Sequence, residues 1–125
     1  MILLVDAMAV LWWLADDERL APEAAASLAD PANDVLVSAA TIWEIEVKRA
    51  AGRLEAPTEL LGDLTRAGME GIAFTPTDAV DAASLPTHHK DPFDRMLVAQ
   101  TLRLDATIVS SDPVLDAYGV NRLPA

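Results

Sequence analysis

The chain has 125 residues, of which 52% are apolar, and its formal net charge is -11. This length suits one domain with a buried core, and this apolar content argues against a disordered chain. The charge excludes a protein that coats nucleic acid through a basic face, but it allows a nuclease whose metal ion supplies positive charge locally, and it favours a basic partner chain.

Four short apolar runs predict β-strands, at residues 2–5, 35–37, 72–74 and 107–109. The chain between consecutive runs carries helical patterns and is long enough for two helices. A fifth strand near residues 120–123 has a weaker signal. Strands that alternate with helices are typical of crossover units in a parallel sheet. We find no linker and no sequence repeat, so we expect one α/β domain over residues 1–125 with four to five parallel strands.

Capping residues and prolines mark where the predicted helices begin. The segment Thr75–Asp78 resembles a capping box with proline at the first helical position. Asp91-Pro92 and Asp112-Pro113 repeat the arrangement of a capping residue before proline, while Gly52 and Gly68 each end a helix. The remaining predicted helices, two of them opened by Pro22 and Pro57, span residues 7–14, 22–29, 39–51 and 57–67.

Two of these helices carry apolar side chains on more than one side. In the helix at 7–14, the neighbours Trp12 and Trp13 point about 100° apart and cannot face the same core. That helix is either buried under its neighbours or part of an interface with another subunit or partner. In the helix at 39–51, Trp43, Val47 and Ala50 share one face while Ile45 points nearly the opposite way, so we expect cover on two sides.

Two features bear on where the protein works. The absence of cysteine rules out a disulfide, a thiolate metal site and a thiol nucleophile, and it suits a reducing compartment. The N-terminus lacks the basic segment of a secretory signal, and the apolar run at 7–14 is far shorter than the ~20 residues of a membrane span. We therefore expect a soluble cytoplasmic protein with no membrane association.

Acidic residues occur where a parallel sheet would gather them. Asp6 ends the first strand and Asp112 follows the fourth, whereas Glu44 lies inside a helix and Asp91 and Asp94 open another. In open α/β sheets, ligands bind outside the carboxyl ends of the strands. Carboxylates gathered there with little positive charge repel one another, but they suit a hard divalent cation that prefers oxygen ligands. We predict a divalent metal site from this pattern.

Each acid also has a structural interpretation. Asp91 and Asp112 can cap the helices that follow them, and Glu44 can form an ion pair with Lys48 four residues later. Asp6 fits such an interpretation least well, because it interrupts an otherwise apolar stretch. A buried carboxylate there is costly unless it is paired or bound to a metal.

Four blocks follow one another along the chain: Asp6 after its apolar strand, Ser38–Ile45 with the sequence SAATIWEI, His88–Gln100 with the sequence HHKDPFDRMLVAQ, and Val109–Asp112 with the sequence VSSD. Together they resemble the PIN domain and, more closely, the VapC-type toxins of bacterial toxin–antitoxin pairs. The resemblance spans essentially the whole chain. It implies a three-layer sandwich in which helices cover both faces of the parallel sheet.

The resemblance also implies an activity and partners. It implies a metal-dependent endoribonuclease that uses Mg²⁺, with Mn²⁺ as an alternative, and leaves a 3′ hydroxyl and a 5′ phosphate. A VapB-like antitoxin would block the site, and the toxin would form a homodimer. The four-acid site of the family carries over to the catalytic and metal-binding residues Asp6, Glu44, Asp94 and Asp112.

Other polar residues near these blocks have predicted supporting roles. Asp91, Arg95 and Ser110 are accessory residues of the site. His88 and His89 are either ordinary loop residues or groups that orient Asp91 or touch the substrate. The candidates for contacts with phosphate are Lys48, Arg49, Arg53, Lys90 and Arg95.

Ala7 and Met8 depart from the family pattern, which usually has threonine and then a polar residue after the first aspartate. The missing hydroxyl supports an alternative, a weakly active or inactive PIN-fold module that mainly binds an antitoxin-like partner. A phosphate-accepting receiver domain fits less well. It requires an acid pair after the first strand and a lysine near the last, but Asp6 stands alone and no lysine follows Lys90.

Overall fold

Five parallel strands form the central sheet of the structure, which is a computed structural model that describes residues 1–125. The strands are β1 (Ile2–Val5), β2 (Asp34–Ser38), β3 (Glu70–Ile72), β4 (Thr107–Val109) and β5 (Asn121–Leu123). Their order is β3-β2-β1-β4-β5, and every neighbouring pair is parallel. The direction of winding therefore reverses between β1 and β4, which is where open α/β sheets bind ligands.

Two helices separate each of the first four strands, as predicted. The helices are α1 (Ala7–Leu14), α2 (Pro22–Ala29), α3 (Ala39–Ala50), α4 (Leu60–Arg66), α5 (Pro76–Ser84) and α6 (Pro92–Leu104), and a 3-10 helix spans Pro113–Tyr118. None of them combines the length and the apolar character that crossing a membrane would require.

The sheet buries apolar side chains on both faces. Leu3 belongs to a core cluster with residues of α1 to α4, whereas Leu4 packs in a second cluster with Leu97 and Val98 of α6. Successive side chains of a strand point to opposite faces, so the two clusters lie on opposite sides of β1. The predicted three-layer sandwich of helices around a parallel sheet is confirmed.

Two predicted boundaries were wrong. We predicted the third strand at 72–74, but β3 lies two residues earlier because its partner β2 ends at Ser38, which pairs with Ile72. We predicted a helix over 57–67, but α4 begins only at Leu60. The backbone at Glu59 is not helical and no side chain caps the helix there.

The apolar faces of α1 and α3 have different environments. Contrary to the expectation that the two indoles cannot face the same core, Trp12 and Trp13 are both half-buried against the larger core cluster, so α1 packs against its own chain with both indoles partly exposed. On α3, Ile45 is fully buried, but Trp43 and Val47 remain 60% and 43% exposed. Cover on two sides of α3 is therefore not provided within the chain.

Candidate metal centre

A cleft at the carboxyl ends of β1 and β4 gathers the predicted acids. Its volume is about 230 Å³, and its lining includes all four predicted site acids and Asp91. These are Asp6, Glu44, Asp94, Asp112 and Asp91. Asp6 follows β1, Glu44 lies on α3, Asp94 in the first turn of α6 and Asp112 beyond β4, so folding unites acids from four separate elements.

Asp6 is held by local hydrogen bonds at the end of β1. Its Oδ1 accepts a 2.9 Å hydrogen bond from the Ala9 amide, which makes Asp6 the N-cap of α1. Burial raises the pKa of Asp6, hydrogen bonds from the Ser110 side chain and the Ala9 amide oppose that rise, and the charges of Glu44 and Asp112 add to it. The predicted accessory residue Ser110 thus lies fully buried beside Asp6.

The charged form of Asp94 is also disfavoured by its surroundings. Burial, followed by the charges of Asp91, Asp6 and Glu44, raises its pKa to about 7 against a lowering contribution from His89. Asp91 caps α6 through a 2.8 Å hydrogen bond from the Phe93 amide, so its capping interpretation and its place beside the site both hold. Asp94 therefore lacks enough compensating positive charge within the chain to keep it fully ionised near neutral pH.

Asp112 has better compensation than Asp94. It caps the 3-10 helix by accepting a 3.0 Å hydrogen bond from the Val114 amide. Burial pushes the pKa of Asp112 upward, but the Val114 amide, His89 and Arg122 together bring it below its usual value. The two acids that follow β1 and β4 therefore both serve as helix caps while they line the cleft.

His89 joins two of the acids, which the sequence did not reveal. Its Nε2 lies 2.7 Å from Asp112 Oδ2 and 3.1 Å from Asp94 Oδ2. Its Nδ1 accepts a 3.0 Å hydrogen bond from the Asp91 amide, so in the neutral ring Nε2 carries the proton and donates a hydrogen bond to Asp112. The Tyr118 hydroxyl accepts a 2.9 Å hydrogen bond from the His89 amide and anchors this loop.

His88 has a different position. It is exposed, and its ring packs edge-on against Tyr118 with 5.0 Å between ring centroids. No local pattern distinguishes the two histidines in the sequence, because the partner Asp112 lies 23 positions away from His89.

The buried Glu44 forms the ion pair expected from its spacing to Lys48. Lys48 Nζ lies 2.7 Å from Glu44 Oε2, and both residues line the cleft. The structural and functional interpretations of Glu44 are therefore compatible. This ammonium group is the single cationic side chain in the lining of the acidic cleft.

The other candidate phosphate contacts have diverse environments. Arg49 pairs with Glu46 on α3. The Arg95 guanidinium donates to carbonyls at the end of α5, including those of Ala82 and Leu85 at 3.0 Å, so it anchors that helix end. Lys90 and Arg53 are exposed. The phosphate-binding prediction for Arg95 stays untested, while its contacts with α5 explain why it is held in place.

The donor set suits a divalent cation. Ligand atoms of His89, Asp94 and Asp112 lie within 4.8 Å of one another, and Asp6 and Glu44 add carboxylates to the same cleft. Oxygen donors of this kind are the preferred ligands of Mg²⁺ and Mn²⁺. A bound cation would also counteract the rise in the pKa of Asp94, because it supplies an opposite charge beside the buried carboxylate.

Fold and site together define an α/β protein with an acidic cleft at the switch point of a parallel sheet. The sequence profile of the PIN domain matches residues 3–121. The chain therefore belongs to the PIN domain family, as its sequence blocks predicted. PIN domains are generally nucleases and typically use a divalent metal ion. A search of curated proteins gave no match.

Solved structures share this fold at low sequence identity. The crystal structure of VapBC2 from Rickettsia felis bound to a DNA fragment from their promoter matches with a TM-score of 0.73 and 13% identity, over 99% of this chain and 98% of the other. The structure of FitAB bound to the IR36 DNA fragment matches with a TM-score of 0.64 and 17% identity, over 99% and 94%. A domain of a functionally unknown protein from Methanocaldococcus jannaschii gives a TM-score of 0.60 and 15% identity, over 99% and 90%.

Proposed function

We propose that this protein is a metal-dependent endoribonuclease that acts as the toxin of a VapBC-type toxin–antitoxin pair. The observation that carries the proposal is the convergence of Asp6, Glu44, Asp94 and Asp112 in one cleft of a PIN fold. Carboxylates at this density need an external cation, and RNA phosphodiesters are substrates that such a cation can activate.

The proposed cofactor is Mg²⁺, with Mn²⁺ as the alternative. Asp6, Asp94 and Asp112 would bind the ion directly, with Glu44 completing the acidic set. When bound, the ion lowers the pKa of a coordinated water and offsets the charge that grows on the leaving oxygen. The protein orients its carboxylates for this task through the Ala9 amide at Asp6 and the His89 Nε2–H between Asp94 and Asp112.

The proposed partners are a VapB-like antitoxin and a second copy of the chain. The structures of VapBC2 and FitAB that share the fold are those of paired systems bound to DNA. A basic antitoxin segment would complement a chain of net charge -11 and could reach the acidic cleft. We place this pair in the cytoplasm.

The direct test is incubation of the purified protein with mixed cellular RNA, with Mg²⁺ or with EDTA, followed by mapping of the cut ends. We expect Mg²⁺-dependent cuts that leave 3′ hydroxyl and 5′ phosphate ends. Cleavage that persists in EDTA, or the absence of cleavage with both Mg²⁺ and Mn²⁺, would contradict the proposal.

The alternative function, a weakly active or inactive module that mainly binds its partner, is motivated by Ala7 and Met8. The hydrogen bonds to Asp6 from the Ala9 amide and the Ser110 side chain weaken this alternative, because they hold Asp6 without a hydroxyl at position 7. An inactive module would not arrest growth when it is expressed without its partner, whereas the proposed toxin would.

The substitution Ala7→Thr measures how much the missing hydroxyl matters. We expect it to change the rate of RNA cleavage by less than about tenfold, at or below the low end of outer-shell effects on metal sites. A rate increase of about 100-fold would instead show that the departure at position 7 is a genuine lesion. The rate is compared at saturating Mg²⁺ so that metal affinity does not enter.

A further inference from the structure

The acidic cleft continues into a second lobe that contains positive charge. This basic lobe has a volume of about 240 Å³ and is lined by Ala7, Met8, Glu44, Lys48, Arg53 and Leu54. Four of these residues, from Ala7 to Lys48, also line the acidic cleft. The two lobes are therefore adjacent parts of one groove along α1 and α3.

Arg53 differs from every other arginine of the chain. Six of the seven arginines in the sequence bind a carboxylate or backbone carbonyls through their side chains. The exposed Arg53 guanidinium has no such hydrogen bond or ion pair within the chain. The backbone of Arg53 is anchored, since its amide donates a 2.9 Å hydrogen bond to the Lys48 carbonyl at the end of α3.

Gly52 makes this backbone turn available. Its φ of +69° lies in the left-handed region, which ends α3 and turns the chain toward the groove. Arg53 and Leu54 follow directly, so a cation and an apolar side chain enter the lobe side by side.

The lining of the lobe also includes apolar side chains. Met8 is 38% exposed and lines both lobes, and Leu54 is half-buried against the larger core cluster. An unbranched methionine adapts to ligands of irregular shape. A cation beside such side chains matches a nucleotide, which presents a phosphate next to a sugar and a base.

We propose that the basic lobe binds the nucleotide adjacent to the cleaved phosphodiester, with Arg53 on its phosphate and Met8 against its sugar or base. This inference rests on the proposed function, because only a polymeric substrate brings a second phosphate. A guanidinium can bind a phosphate with two hydrogen bonds, and it would offset the repulsion of the strand by the nearby acids. Met8 would then contact the substrate at a position where the family usually has a polar residue.

The test measures RNA binding separately from cleavage. A labelled single-stranded RNA of ten nucleotides is titrated with Asp94→Asn protein and with the Asp94→Asn/Arg53→Gln double variant, in Mn²⁺, at several salt concentrations, with gel analysis of RNA integrity. The matched control is Asp94→Asn/Arg66→Gln, which removes an exposed charge on α4 that is paired with Asp63. We expect Arg53→Gln to raise the Kd about five- to tenfold and to lower the salt slope by about 0.7.

An effect of Arg53→Gln no larger than that of Arg66→Gln would overturn the inference while leaving the nuclease proposal intact. If wild-type protein binds RNA through Arg53 but fails to cleave it, the nuclease proposal fails, and with it the position of the subsite next to a cleaved bond, although the lobe still binds RNA. Absence of RNA binding by all forms would overturn both. A calorimetric titration with Mn²⁺ should give the same affinity for wild type and Arg53→Gln, because Arg53 lies outside the carboxylate set.

Discussion

Asp78 and Asp94 are both removed from water, but their surroundings affect the negative charge in opposite ways. Asp78 in α5 is fully buried, yet it accepts hydrogen bonds from the Thr75 amide and from Arg103 Nη2 at 2.9 and 3.0 Å. Burial opposes its ionisation, but Arg103 and Thr75 hold the pKa of Asp78 below its ordinary value. At Asp94, burial and neighbouring acids raise the pKa to about 7.

Asp78 is a structural carboxylate, whereas Asp94 is a carboxylate that needs a ligand. Asp78 finds its opposite charge within the chain, so it is neutralised by folding alone. Asp94 shares its cleft with four other acids, and the one cation lining that cleft, Lys48, is paired with Glu44. Perturbed pKa values of this kind concentrate at functional sites, because function requires an interaction that folding has not already satisfied.

The first prediction concerns a variant that removes one carboxylate of the acidic cleft and leaves the ion pair of Asp78 with Arg103 intact. Asp94→Asn should reduce Mg²⁺-dependent RNA cleavage to background, a loss of well over 100-fold, since even outer-shell changes at metal sites cost about 10–100-fold. Asp6→Asn should behave in the same way. Cleavage is measured with labelled RNA, and Asp63→Asn, which removes an acid of a surface ion pair on α4, should retain wild-type activity. Undiminished cleavage by Asp94→Asn would remove the site assignment.

The second prediction is that the same substitution at Asp78 and at Asp94 has different effects on stability. Asp78→Asn should lower the free energy of unfolding at pH 7 by about 2–3 kcal/mol, because it leaves Arg103 without its partner and weakens the cap of α5. Asp94→Asn without divalent ions should leave stability unchanged or higher, since it removes a charge that its surroundings disfavour. Urea unfolding monitored by circular dichroism measures both. Equal losses in the two variants would contradict the comparison.

The directions of these two stability changes follow from the linkage between proton binding and folding. The lowered pKa of Asp78 stabilises the fold above the usual value near 3.8, and this contribution disappears as the pH falls through the folded-state value. The raised pKa of Asp94 acts oppositely, because the folded state holds the extra proton. Without a divalent ion, its contribution to stability is present below about pH 3.8 and is lost as the pH rises to about 7.

The last prediction concerns how pH changes the stabilisation of the fold by Mg²⁺. Mg²⁺ must displace the proton from Asp94, so its stabilisation of the fold should be greater at pH 8 than at pH 5.5. At ten times its Kd, the ion adds about 1.4 kcal/mol, which corresponds to about 3–6 °C in Tm for a domain of this size. Thermal melts with and without Mg²⁺ at both pH values measure this difference. It should shrink in Asp94→Asn, and a shift independent of pH in wild type would contradict the role of Asp94.

Local sequence signals predicted the helices and strands whose ends are marked by nearby residues. The bounds of α1, α2, β1 and β4 agree with the sequence-based prediction, because caps, prolines and apolar runs act within a few residues. The third strand was misplaced because β3 is an edge strand, paired only with β2, and the end of β2 limits it rather than its own apolar content. Local propensity contains no information about such a partner.

The alternation of strands and helices, the family, and the acids that the structure brings into one cleft were all predictable from the amino-acid sequence. Which of the charges are compensated depends on tertiary packing. The pair of Asp78 with Arg103 spans 25 positions, and that of His89 with Asp112 spans 23. Such contacts depend on how α5, α6 and β4 pack together, which local hydrogen bonding does not specify. For the same reason, the free Arg53 beside the acidic cleft became visible only in the folded chain.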